Sequence, residues 1–204
     1  MMLLFLQGMA LGLAIAAPVG PIGLLCIRRS LHSGFALGFA TGLGAALADG
    51  SYGAVAGFGL TAVSGALMAA EMPLRLLGGG FLIYLAARGW RRRVDGQGGD
   101  GGRPGLLLAV GGTYLLTLAN PTTILSFLAI FTSLGIGRAA GDVAAALSLV
   151  VGVFLGSALW WLLLAGGVTV MRHRLPSRAL DWINRLSALI ILAFGLRAIA
   201  GALW

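Results

Sequence analysis

Long apolar blocks separated by short polar segments run along the whole chain. Six blocks of about 20 residues or more lie at about 3–27, 35–60, 68–89, 106–134, 143–170 and 182–204. An α-helix needs roughly 20 apolar residues to cross a bilayer, whereas a barrel strand needs about ten residues in alternation. The pattern therefore predicts an all-α integral membrane protein with six transmembrane helices.

Small residues recur at intervals of four within several of these blocks. The stripes are Gly8, Gly12, Ala16 and Gly20 in the first block, Gly34, Gly38 and Gly42 at the second, and Gly152 with Gly156 in the fifth. In lipid, such a stripe lets a neighbouring helix approach closely. These faces could serve contacts within the fold or between copies in a homo-oligomer.

The first and the fourth block are each interrupted by proline well inside the block. The first block contains Pro18, Gly20 and Pro21, and the fourth contains Asn120 followed by Pro121. Proline lacks an N–H and clashes with the carbonyl four residues earlier, so both helices should be kinked or unwound there. Within a bilayer, irregular backbone is tolerated only where protein buries it or where it lines a cavity. We therefore expect both interruptions to line a site.

The interruptions occupy matching places in the two halves of the chain. The segments 17–22 and 119–124 share their first alanine and last isoleucine, and each contains a proline, one position apart. Three blocks precede the Gly-rich segment and three follow it, so related halves would have opposite topology. We assign a first three-helix repeat to 1–90, a basic, Gly-rich cytoplasmic linker to 91–105 and a second repeat to 106–204. Interrupted helices at such places point to a transporter's binding site.

Charge sets the expected orientation. The chain is 59% hydrophobic and only 10% charged, with a net charge of +8. All 14 basic residues are arginine. Eleven lie in or beside the segments that join spans one and two, three and four, and five and six, and three lie toward the opposite side: Arg75, Arg138 and Arg197. The positive-inside rule then places both termini outside the cytoplasm. It also accounts for the basic balance, so no nucleic-acid partner is expected.

Asp49 is the acidic residue nearest the middle of a predicted span. An ionised carboxylate there costs several kcal/mol unless it is solvated or paired, so it marks a pathway or an ion site. It could bind a substrate ammonium group or exchange a coupling proton. The alternative is that Asp49 and Gly50 form a turn near the headgroups.

Asn120 adds an amide beside the second interruption. Pro121 leaves carbonyls of the preceding turn without their usual partner, and exposed carbonyls attract ammonium groups and cations. The N-terminus of a restarted half-helix attracts carboxylate. Together these groups suit a zwitterion, although a simple packing kink is the alternative.

Other function classes find little support. Cys26 is the single cysteine, so a disulfide, a CxxC pair and a cysteine-based metal site are all excluded within the chain. An intramembrane enzyme would need a partner for Asp49, and no second aspartate or histidine lies within a predicted span. We expect no catalytic residues and no cofactor. A packing subunit would use the glycine stripes but leaves the paired interruptions unexplained.

Three segments, 17–31, 42–53 and 118–127, resemble the lysine exporter (LysE) family of bacterial amino-acid exporters. The resemblance implies a six-helix protein of the bacterial inner membrane, built from two inverted repeats with broken helices one and four. It also implies export of amino acids or related small molecules, driven by a proton or ion gradient without ATP. The family's motifs fall on Pro18, Gly20 and Pro21, on Asp49, and on Asn120 with Pro121. Export of a metal cation or of another small solute is the alternative, and the scarcity of ligands disfavours the metal cation.

Overall fold

The chain is described by a computed structural model over residues 1–18, 20–58, 70–90, 105–120, 123, 127, 143–172, 174 and 177–203. Seven helices have bounds within these ranges: α1 (Met2–Ala16), α2 (Pro21–Ser33), α3 (Phe35–Gly57), α4 (Glu71–Trp90), α5 (Leu106–Leu118), α6 (Val143–Arg172) and α7 (Ser177–Leu203). The described part of the chain is all-helical, as the apolar pattern predicts. Residues 91–104 of the predicted linker lie outside it.

Within the described residues, two helices are each long and apolar enough to cross a bilayer: α6, and the part of α7 from Arg185 to Ala202. The bent pair α1 and α2 passes the same test as one broken span, with an angle of 80° between its halves. Shorter apolar helices are α5 and the part of α4 from Arg75 to Ala87. The fold is therefore that of an α-helical membrane protein.

Helix α3 lies at the centre of the described packing and contacts α2, α5 and α6. Helix α1 packs along α6, α4 packs along α7, and α2 also touches α6 and α7. The main core draws residues from all seven described helices, and includes Leu25, Ala46, Leu82, Trp161 and Ile191. The interrupted segments thus abut this core.

The glycine stripes of α1 and α6 face each other. A Cβ on Gly8 would lie 3.2 Å from the Cα of Gly152, and one on Gly156 would lie 2.9 Å from the Cα of Met9. A side chain at these positions would displace backbone, so the close approach requires glycine on both helices. This arrangement confirms the close packing that the stripes predict.

A second pair of glycines brings α4 and α7 together. A Cβ on Gly79 would lie 2.9 Å from the carbonyl oxygen of Gly195, and the reciprocal distance is also 2.9 Å. Between α2 and α3 the turn is made by Gly34, whose φ of 88° disfavours any residue with a side chain. These glycines set the spacing and the turn that position the site.

Candidate functional site

A cavity of about 300 Å³ lies where the two interrupted segments meet α3 and α6. Five of the six residues predicted from the sequence line it: Pro18, Gly20, Pro21, Asp49 and Asn120. The sixth, Pro121, lies outside the described residues. The structure thus brings together residues that lie up to 102 positions apart along the chain, from Pro18 to Asn120.

The first interruption is a true break between two helices. Helix α1 closes with the Ala17 N–H donating to the Leu13 carbonyl at 2.9 Å, and Pro18 then offers no N–H to continue it. Gly20 is extended, with φ −97° and ψ −163°, and α2 starts at Pro21. Proline suits the first position of a helix because its missing N–H would have no intrahelical partner there. The sequence Pro-Val-Gly-Pro therefore ends one helix and begins the next.

At the second interruption the chain leaves α5 through local backbone bonds. The Asn120 N–H donates to the Thr117 carbonyl at 3.1 Å, and the Thr123 N–H donates to the Asn120 carbonyl at 3.0 Å. The Thr117 carbonyl is the one whose α-helical partner would be residue 121, a proline. The turn at Asn120 therefore supplies the N–H that proline cannot.

Tyr52 of α3 contacts the chain on both sides of the second interruption. Its hydroxyl donates to the Leu118 carbonyl at 2.7 Å, and its ring stacks on Phe127 with centroids 5.2 Å apart. Tyr52 is buried, one helical turn along α3 from Asp49. One face of α3 thus carries both the carboxylate of the cavity and a support for the broken backbone.

Asp49 is 3% exposed and lies within α3, so it is not in a turn near a helix end. The Ser157 hydroxyl of α6 donates to its Oδ2 at 2.7 Å. Among the described residues the carboxylate has no other hydrogen bond, so Oδ1 is left for whatever enters the cavity. A buried carboxylate with one protein donor can accept an ammonium group, a cation or a proton.

Trp161 completes a directional chain of hydrogen bonds. Its indole N–H donates to the Ser157 Oγ at 3.1 Å, and Ser157 in turn donates to Asp49. Indole is only a donor and a hydroxyl has one proton, so Ser157 is committed as the donor to Asp49. Gly42 of α3 makes room for Trp161, since a Cβ there would overlap the tryptophan side chain. The network fixes which carboxylate oxygen faces the cavity.

Several lining residues are not predicted by the sequence argument. Thr117, Trp161 and Phe194 line the cavity, and Ser157 reaches it through Asp49. The sequence does contain a clue to Ser157, because a hydroxyl inside the apolar helix α6 needs a hydrogen-bond partner. Trp161 packs in the main core and also lines the cavity.

A second cavity of about 680 Å³ adjoins the first. The two share four lining residues: Pro21, Ile22, Asn120 and Phe194. Among the described residues, the cationic side chains that line it are Arg75 of α4 and Arg197 of α7. Arg197 is exposed, and it lines this cavity while Asp49 lines the other.

The two adjacent arginines near the end of α2 bind neighbouring helices. Arg28 donates through Nη1 and Nη2 to the Leu85 carbonyl of α4, at 3.4 Å each. Arg29 donates to the Thr41 hydroxyl of α3 at 2.8 Å and to the Thr113 hydroxyl of α5 at 3.5 Å. From sequence these arginines are topological charges alone, but the structure adds a packing role beside the α2–α3 turn.

Metal ligands do not converge in the part of the chain that is described, where no group of three or more His, Cys, Asp or Glu side chains is found. Cys26 is buried and is a free thiol.

Known proteins match the chain over nearly its full length. A family model described as "LysE type translocator" matches residues 13–201, which include every cavity residue named above. The chain is 29% identical over 196 residues to a Bacillus subtilis (strain 168) protein named "Putative amino acid efflux protein YcgF", covering 94% of this chain and 93% of that protein. No solved structure matches the chain significantly.

Proposed function

The chain belongs to the LysE type translocator family, and from this premise we propose that it is a secondary active exporter of amino acids or related small zwitterions. The relative in Bacillus subtilis, whose name specifies amino acid efflux, supports this substrate class. We infer that it is a multi-pass protein of the bacterial inner membrane, and the distribution of its arginines supports an orientation with both termini outside the cytoplasm.

One observation carries the proposal: Asp49 and both interrupted segments line a single cavity. A zwitterion needs an acceptor for its ammonium group and donors for its carboxylate. Asp49 Oδ1 supplies the acceptor. Ile22 and Gly23 supply donors, since they line the cavity at the start of α2, where N–H groups have no intrahelical partner and the helix dipole is positive.

The size of the cavity fits a small solute. Its volume of about 300 Å³ is at the lower end of the roughly 300–1,000 Å³ usual for ligand sites. Thr117, Asn120 and Thr123 add polar groups beside Asp49, and the remaining lining residues are apolar or aromatic. The site therefore accommodates one amino acid rather than a peptide.

Helix packing supports a mechanism of alternating access between two inverted three-helix repeats. Helix α1 of the first half packs on α6 of the second, α5 of the second half packs on α3 of the first, and α4 packs on α7. If the halves 1–90 and 106–204 are exchanged, α1 corresponds to α5, α3 to α6 and α4 to α7. The α1–α6 contact then becomes the α5–α3 contact, and the α4–α7 contact is unchanged. We expect the halves to rock around the cavity, with cation binding or protonation at Asp49 setting which side is open.

Accumulation of labelled amino acids in inverted membrane vesicles tests the proposal. Arginine, lysine, threonine, leucine and homoserine are compared with and without an imposed pH gradient, against vesicles lacking the protein. We expect gradient-dependent accumulation of at least one of them. If none accumulates in vesicles shown to contain the protein, amino-acid export is wrong, and another solute or a metal cation takes its place.

A further inference from the structure

The larger cavity is cationic in a chain that places few charges at that end. Arg75 lies near the start of α4 and Arg197 near the end of α7, and both line the cavity of about 680 Å³. Among the described residues, these two arginines are the titratable side chains that line this cavity. A positive pair beside a solute pathway favours an anionic group.

Membrane insertion does not account for these two charges. Eleven of the 14 arginines lie on or near the side that the positive-inside rule assigns to the cytoplasm. Arg75 and Arg197 belong to the other side, where that rule favours few basic residues. Their placement in one cavity wall calls for a different reason.

The cationic cavity adjoins the cavity that contains Asp49. Pro21, Asn120 and Phe194 line both cavities, so they form the partition between them. A solute that leaves Asp49 past this partition enters the space lined by the arginines. The order along the path is a carboxylate first and guanidinium groups second.

We propose that Arg75 and Arg197 form a second station that binds the carboxylate of the departing amino acid. This inference rests on the proposed function. Guanidinium groups match carboxylates in geometry and charge, often through two parallel hydrogen bonds. Arg75 is held in place because its Nη1 donates to the Gly201 carbonyl of α7. Arg197 is the residue to vary, since its exposed side chain carries charge without that structural contact.

Two small probes separate this station from the site of Asp49. N-acetylglycine has a carboxylate and no ammonium group, whereas glycinamide has an ammonium group and no carboxylate. Their affinities are measured by titration calorimetry on the protein in lipid nanodiscs, which requires no transport. The variant is Arg197→Gln, and the matched control is Arg185→Gln, since Arg185 is an exposed arginine of the same helix that does not line the cavity.

We expect Arg197→Gln to weaken N-acetylglycine binding about tenfold, the effect of losing one charge-assisted hydrogen bond, and to change glycinamide binding less than twofold. Arg185→Gln should change neither affinity. Equal loss of both probes in Arg197→Gln, unchanged N-acetylglycine binding in that variant, or no binding of N-acetylglycine to the wild-type protein would each overturn the proposal. The vesicle panel tests amino-acid export separately, so the two failures are distinguishable.

Discussion

Replacing Ser157 by alanine removes the hydroxyl that donates to Asp49 at 2.7 Å and leaves the rest of α6 in place. A hydrogen bond to a charged group contributes about 1.5–3 kcal/mol. The same substitution removes the Ser157 Oγ that accepts the Trp161 N–H at 3.1 Å, so the indole also loses its acceptor. Because Asp49 would then be free to rotate away from the cavity, we expect substrate binding to weaken by roughly 10- to 100-fold.

Initial rates of export, measured against substrate concentration in vesicles, separate this effect from misfolding. Ser157→Ala should raise KM more than it lowers the maximal rate per inserted molecule. Ser157→Thr keeps the hydroxyl and should recover most of the affinity, whereas Trp161→Phe keeps a ring and removes the N–H, so it should show a smaller loss. Wild-type KM in Ser157→Ala, or equal defects in the alanine and threonine variants, would refute the reasoning.

Three further changes test other parts of the structure. Tyr52→Phe removes the hydrogen bond to the Leu118 carbonyl but keeps the stacking on Phe127. The loss of about 1 kcal/mol should lower export roughly fivefold. The control is Tyr114→Phe, which loses a 3.3 Å contact with the Ser51 hydroxyl. Gly156→Ala should lower thermal stability in detergent by about 1–3 kcal/mol, because the added Cβ meets the Met9 backbone, whereas Gly167→Ala on the same helix meets nothing within 4 Å and should be tolerated. Replacing both Pro18 and Pro21 by alanine removes the two prolines of the first break, each of which would cost about 3 kcal/mol inside a helix, so α1 and α2 can join and export should be lost. Pro73→Ala, at an exposed position in the first turn of α4, should export normally. Export at the wild-type rate in the Tyr52 variant or in the proline variant of the first break would contradict the role given to that residue or break. Equal stabilities of Gly156→Ala and Gly167→Ala would contradict the close packing of α1 on α6.

Much of the site could be predicted because its residues obey local rules. Two prolines and a glycine within four residues, Pro18, Gly20 and Pro21, interrupt a helix in the middle of an apolar block, and the cost of irregular backbone in a bilayer then requires a protein-lined space. Asp49 follows from the cost of a carboxylate within an apolar span. These arguments need no knowledge of which helices touch, and the cavity contains all of these residues.

The remaining features depend on which helices pack together, and periodicity alone does not determine that. The Ser157 hydroxyl meets Asp49 only because α6 packs on α3, and Trp161 reaches Ser157 because Gly42 leaves room for its ring. Arg29 likewise finds hydroxyl partners on two other helices. The prediction of six complete spans and the role of Pro121 extend beyond the described residues.

Gradient-driven export by Asp49→Asn tests the central claim most directly. Asparagine keeps the size of the side chain and its amide oxygen can still accept the Ser157 hydroxyl, so the variant should insert and fold. If the cavity of Asp49 is the transport site, amino-acid accumulation on an imposed pH gradient should fall more than about tenfold at equal protein content in the vesicles. Accumulation at the wild-type rate would show that the carboxylate plays no part in transport, and the account built on this cavity would be wrong.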